Sequence, residues 1–125
     1  MMKAEDIKMR KDDGRSKSRQ DGLGKAAAII SGRYQIAILY CLSKNEALRF
    51  NELKRELGPI AFRTLSLVLK KLEVQGVVSR KEYKQIPPKV EYRLTRYGME
   101  LVPILEQLRR WGSKADTRRR TAHAE

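Results

Sequence analysis

Residues 50–98, FNELKRELGPIAFRTLSLVLKKLEVQGVVSRKEYKQIPPKVEYRLTRYG, change their apolar period twice. Over 51–57 and again over 62–75, apolar residues recur at helical spacing. In the second run Leu65, Val68, Leu69 and Leu72 stand at i, i+3, i+4 and i+7, one stripe of an amphipathic helix. Gly76 then predicts the end of that helix, because glycine takes the left-handed conformation at the position after the cap without a Cβ penalty. Beyond it the period falls to two. Val77 and Val78 open a run that ends near Tyr83, and Val90, Tyr92 and Leu94 alternate in the next. The link over 84–89, KQIPPK, is a basic loop stiffened by two prolines. Helix, short turn, helix and basic hairpin, in that order, describe a winged helix-turn-helix. The expected fold class is therefore mainly α with a small antiparallel β-hairpin.

The other segments support this unit. Residues 1–22 are polar, of mixed charge and without period, and are read as a flexible N-terminal arm. They contain no apolar stretch of the kind a secretory signal needs, so none is expected. Residues 23–112 form the domain, and 113–125 a basic C-terminal tail whose single histidine, His123, is assigned no role. The run from Gly22 to Ala27 matches a GxGxxA dinucleotide fingerprint, but no strand precedes it and the reading is rejected. Residues 23–30 are a short apolar helix instead. Ser31 is a plausible N-cap for the next helix, over 34–43. That helix, YQIAILYCLS, is apolar nearly all round and is expected inside the domain. Cys41 sits on it, with Tyr40 and Leu42 beside it, and reads as a small core hydrophobe rather than a reactive thiol.

Residues 47–50 are a candidate short strand pairing with the hairpin. Asn51 is the candidate cap of the following helix, with Glu52 favourably placed in its first turn. Gly58-Pro59 ends that helix and sets the turn. Thr95 is the candidate N-cap of a long last helix over 96–111, kinked at Pro103. Its apolar positions are Tyr97, Leu101, Val102, Ile104, Leu105, Leu108 and Trp111, a wider stripe than one small domain needs. Tyr97, Leu101 and Leu105 are expected to pack on the 34–43 helix. Ile104, Leu108 and Trp111 lie to another side. The 23–30 helix also has no obvious place in a winged core. A two-fold dimer through these terminal helices follows as an expectation, with Leu23, Ala27, Ile30, Ile104, Leu108 and Trp111 at its interface.

Charge narrows the function. The chain carries a formal net charge of +13 and a pI near 10.2, which imply a polyanionic partner. No run has the ~18 apolar residues of a membrane span, and no helix has a wholly basic polar face for a lipid surface. A single cysteine rules out an intrachain disulfide framework and fits a reducing compartment. There is no P-loop and no His/Cys/Asp cluster at metal-ligand spacing, so neither an enzyme nor a cofactor is expected. Between 61 and 93 stand eight basic residues against Glu73, Glu82 and Glu91, a local charge of +5. A basic run alone is as well read as a solvated face. Here it falls on a helix and a loop that the pattern makes neighbours, and double-stranded DNA is the expected partner. With the Leu65 stripe turned inward, Arg63, Thr64, Ser66, Leu67, Lys70 and Lys71 face out. Arg63 is the candidate base reader, because a guanidinium can bond a guanine edge at two points. Lys70 and Lys71 suit phosphates, and Lys84, Gln85 and Lys89 would serve the wing. The charge equally fits a non-specific architectural chromatin protein.

Particular motifs then point to a family. Gly32-Arg33-Tyr34, Arg49-Phe50-Asn51-Glu52-Leu53, the 65–76 helix end, Pro87-Pro88-Lys89-Val90-Glu91-Tyr92-Arg93-Leu94-Thr95, Gly98 and Trp111-Gly112 together resemble the HxlR-type winged-helix regulators, relatives of the MarR-like regulators of prokaryotes. The resemblance spans roughly 24–112. It implies a homodimeric transcription factor on a near-palindromic site, more commonly a repressor, working in the cytoplasm; it names no effector. Many members carry a switch cysteine near the start of the first helix, a position where this chain has none. Where the family often caps the reading helix with serine, this chain has Ala61.

Overall fold

The computed structural model describes residues 21–115, 117 and 118. Its elements are α1 (Gly22–Ile30), α2 (Gln35–Ser43), β1 (Leu48–Arg49), α3 (Phe50–Leu57), α4 (Phe62–Val74), β2 (Val78–Tyr83), β3 (Lys89–Leu94), α5 (Arg96–Met99) and α6 (Val102–Ser113). The antiparallel sheet has the order β1-β3-β2. Val78 pairs with Leu94 and Tyr83 with Lys89, so the hairpin register keeps Val90, Tyr92 and Leu94 on one face. Leu48 pairs with Tyr92 on the other edge of β3. The helices cover that face, and Ile38, Leu39, Leu42, Leu53, Leu65, Leu69, Leu72, Val77, Val78 and Leu105 are the most deeply buried members of the core.

Helix ends follow local chemistry, not always at the residue the sequence suggests. Asp21 caps α1, its carboxylate accepting from the Gly24 N–H at 2.7 Å. Ser31 closes α1 rather than opening α2: its N–H donates to the Ala27 carbonyl at 2.8 Å. The chain needs 31–34 to turn between helices whose axes differ by 88°. Within α2, Ile38, Leu39 and Leu42 are buried but Ile36 and Ala37 are exposed. The helix thus lies on the core by one face and is not enclosed. Asn51 is not a cap. Pairing with β3 keeps Arg49 extended, so α3 starts at once at Phe50, and Glu52 reaches back to accept from the Arg49 N–H at 2.7 Å. Helix α4 has no side-chain cap at Ala61. Ile60 and Leu65, before the cap and in the first turn, are both buried in the core, the arrangement of a hydrophobic staple.

The far end of α4 is closed by a Schellman motif. The Val77 N–H donates to Leu72 O at 3.2 Å and the Gly76 N–H to Glu73 O at 3.0 Å, with Gly76 at φ +80°. The same turn receives the C-terminal strand. Thr95 donates its N–H to Val77 O at 3.0 Å and its hydroxyl to Gly76 O at 2.6 Å. The Thr95 hydroxyl also caps α5, accepting from the Gly98 N–H at 3.0 Å.

The last helix is broken, not kinked. α5 stops at Met99, Glu100 and Leu101 form the joint, and α6 restarts at Val102. Pro103 lies in the first turn of α6, where a missing N–H costs nothing. The break also displaces one expectation. Tyr97 is exposed; it is Gly98 that α5 turns inward, and only Leu101 and Leu105 reach the core. α6 runs through Gly112 to Ser113.

Two glycines in this region should respond oppositely to alanine. A Cβ on Gly98 would lie 2.2 Å from the Val77 carbonyl oxygen, whereas one on Gly112 meets nothing within 4 Å. Gly98→Ala should lower stability by about 1–3 kcal/mol through overpacking against backbone. Gly112→Ala should raise it by about 0.5–1 kcal/mol through helix propensity. Urea unfolding midpoints at constant m-value check both.

Candidate nucleic-acid interface

Helix α4 buries Leu65, Leu69 and Leu72 and holds Val68 half-buried. Its other face is uncovered. Arg63, Ser66, Leu67, Lys70 and Lys71 are exposed and Thr64 is half-buried, which is the division the apolar stripe predicts. None of Arg63, Lys70, Lys71 or Lys84 forms an ion pair among the described residues. A helix face with unneutralised cations standing beside hydroxyls can meet both phosphate oxygens and base edges. Phe62, at the first position of the helix, is 65% exposed. Its ring packs on Phe50 of α3, centroid to centroid 4.6 Å.

The wing divides into a free tip and a self-neutralised root. Lys84 and Gln85 are exposed at the tip, and Ile86 beside them is fully exposed. Lys89 is not in the loop. It opens β3 opposite Tyr83, with Nζ 3.4 Å from Glu91 Oε2 and 4.7 Å from the Tyr83 ring. Lys81 reaches the same ring at 4.9 Å. Glu91 also accepts from the Tyr83 hydroxyl at 2.9 Å and from Arg93 Nη2 at 3.3 Å. The Tyr83 hydrogen bond, with help from Lys89 and Arg93, holds the Glu91 carboxyl below its ordinary value near 4.5. So of the three wing residues named from sequence, Lys84 and Gln85 are free to reach outward and Lys89 is engaged at the root.

The apolar residues expected at an interface are mostly uncovered. Leu23 is 83%, Ile104 57%, Leu108 40% and Trp111 71% exposed, and Ala27 is exposed as well. Ile30 packs partly against the core. Tyr40 and Lys44 on and after α2 both bond Glu106 of α6, at 3.2 and 3.3 Å, and fix α6 against α2. Cys41 is half-buried, and burial together with the negative charge of Glu56 pushes its thiol up. No group of three or more His, Cys, Asp or Glu among the described residues could hold a metal ion, and no single described helix is long and apolar enough to cross a membrane.

Two helices joined by a tight turn, the second uncovered on its outer face and flanked by a basic hairpin, define a winged helix-turn-helix of the class that regulates transcription. The model of the HxlR-like helix-turn-helix family matches residues 29–120, and the chain belongs to that family. An uncharacterised HTH-type transcriptional regulator of Halalkalibacterium halodurans is 48% identical over 102 residues, covering 81% of this chain and 90% of that one. The YdeP regulator of Bacillus subtilis is 43% identical over 86 residues, 69% of this chain and 66% of its own length. Among solved structures, the HTH-type transcriptional regulator ytcD superposes with a TM-score of 0.73 at 36% identity, covering 78% of this chain and 99% of that one. The redox regulator HypR in its reduced form superposes with a TM-score of 0.72 at 38% identity, over 78% of this chain and 96% of that one. The protein is a transcriptional regulator with a helix-turn-helix DNA-binding fold.

Glu91 supplies a pH test of the wing root. Its folded carboxyl is depressed, so its contribution to stability is complete above about 4.5 and is lost as the pH falls through the lowered folded value. Wild type should melt higher than Glu91→Gln at pH 6, and the two melting temperatures should converge towards pH 3. A constant difference across that range would mean that the carboxylate's charge is not what stabilises the hairpin.

Proposed function

We propose that this protein binds a near-palindromic operator as a homodimer and represses transcription from it. The reading rests on one observation above others: the outer face of α4 carries Arg63, Lys70 and Lys71 without acidic partners among the described residues, in a protein of net charge +13. An α-helix fits the major groove, where each base pair presents a distinct pattern of donors and acceptors. Arg63, in the first turn of α4, reads a guanine edge. Thr64, Ser66 and Leu67 approach neighbouring bases or sugars. Lys70 and Lys71 hold phosphates, and Lys84 with Gln85 at the wing tip contacts the backbone or the adjacent minor groove. Lys89 supports the wing from its root and contributes mainly to the field.

The dimer joins α1 and α6. Leu23, Ala27 and Ile30 on one helix and Ile104, Leu108 and Trp111 on the other supply more apolar surface than a monomer leaves in water without reason. A two-fold axis sets the two α4 helices about 34 Å apart, one turn of DNA. Repression follows from occupancy: a dimer seated on a promoter excludes polymerase. The protein works in the cytoplasm, on the nucleoid.

Selection of bound sequences from a random DNA pool tests the reading. An enriched inverted repeat supports it; uniform binding to all sequences would make the protein a non-specific chromatin component instead. On the selected site, Arg63→Ala should cost about 1–3 kcal/mol and relax one base position, while Lys84→Ala weakens all sequences alike and lowers the salt slope by about one counterion. Leu108→Asp should yield a folded monomer with weak operator binding, because the charge would be buried at the interface. Sedimentation decides this: a wild-type monomer at micromolar concentration that still binds the inverted repeat tightly sinks the dimer.

A further inference from the structure

The core does not account for Phe62. It stands at the first position of α4 and falls in line with Leu65, Leu69 and Leu72, yet it is 65% exposed while they are buried. Ile60, just before the helix, fills the core at this end in its place. Phe62 is also not loose. The Phe50 ring lies 4.6 Å away at an interplanar angle of 47°, a tilted aromatic pair. Phe50 is half-buried and anchored in the first turn of α3, so the exposed ring is held from behind by the other helix of the pair. Next to it in sequence is Arg63, also exposed. A large apolar ring kept in water at the start of such a helix is held where it can meet something apolar.

Within the major groove the one apolar feature of a base edge is the C5 methyl group of thymine. From the Phe62 position we infer that this residue is a specificity-determining contact to a thymine methyl, one in each half-site. The inference rests on the proposed DNA reading by α4 and goes further, because it assigns the residue and the base atom group. Phe62 provides a flat apolar surface that excludes water from the methyl. Phe50 is a positioning residue: it fixes the ring's plane and removes the entropy cost of ordering it on binding. Thymine is favoured over cytosine at that step because cytosine lacks the methyl. The neighbouring Arg63 reads an adjacent pair by hydrogen bonding, so the first turn of α4 combines one apolar and one polar reading.

Deoxyuridine isolates the methyl, because it keeps every hydrogen-bonding group of thymine. On the operator selected from the random pool, each thymine is replaced in turn by deoxyuridine, symmetrically in both half-sites. Wild type should lose about fourfold in affinity per half-site at one position, the size of one buried methyl, and little elsewhere. Phe62→Ala should bind the thymine and deoxyuridine operators equally at that position. Phe62→Leu, which keeps an apolar side chain, should retain part of the discrimination. If Phe62→Ala weakens both operators by the same factor and the deoxyuridine penalty persists, Phe62 only braces α3 against α4 and the inference fails, although specific binding stands. Wild-type indifference to every deoxyuridine overturns it in the same way. Failure to select any sequence at all overturns the operator reading itself.

Discussion

Two backbone carbonyls, those of Gly76 and Val77, hold the molecule's three functional parts together. They lie where α4 ends and β2 begins. Gly76 O receives the Thr95 hydroxyl and Val77 O the Thr95 N–H, so the end of the wing's return strand is tied to the end of α4. The same threonine opens α5, and Gly98 leaves no room for a Cβ beside the Val77 carbonyl. Val77 is fully buried, and its carbonyl left without a donor would be costly. The orientation of the hairpin relative to α4, and with it the reach of the wing beside the outer face of that helix, depends on this junction.

Electrostatics divide the surface into charges that hold the fold and charges that remain available. Glu91 draws in Lys89 and Arg93 at the wing root, and Glu106 draws in Lys44 from the end of α2 and Arg109 from its own helix. Both carboxyls are held below their ordinary value, Glu91 first by Tyr83 and Glu106 first by Arg109. The cations on α4 and at the wing tip have no such partners among the described residues. The separation matters because a cation already paired has less to gain from a phosphate.

The architecture was largely legible from the pattern of residues 50–98. A change of period from helical to alternating is a strong signal when glycine and proline punctuate it, and the Leu65, Leu69, Leu72 stripe sorted the faces of α4 correctly. Failures have local causes. Ser31 and Asn51 have the right chemistry for caps, but the interhelix bend leaves Tyr34 at the start of the second helix and strand pairing puts Arg49 at the start of the third. Lys89 looked like loop because prolines precede it, yet β-pairing begins with it. Tyr97 was expected inward and is exposed, and Phe62, at the head of α4 and outside the stripe named from sequence, is exposed as well. In the first case the helix breaks before the stripe can continue; in the second Ile60 has taken the core position from outside the helix. Periodicity assigns a face and cannot report that a neighbour has already filled it. For the family, the PPKVEYRLT run carried most of the information, since β3 and Thr95 sit at the junction itself.

The joint at Glu100–Leu101 separates two properties that a continuous helix would have coupled. α5 is fastened to the reading unit, whereas α6 starts afresh at Val102 and is fastened to α2 through Glu106. In the proposed dimer, the angle at that joint contributes to how far apart the two α4 helices stand, and the side chains of α4 decide what each one recognises. On that proposal, a change at the joint would alter half-site spacing, and a change on the outer face of α4 would alter base preference.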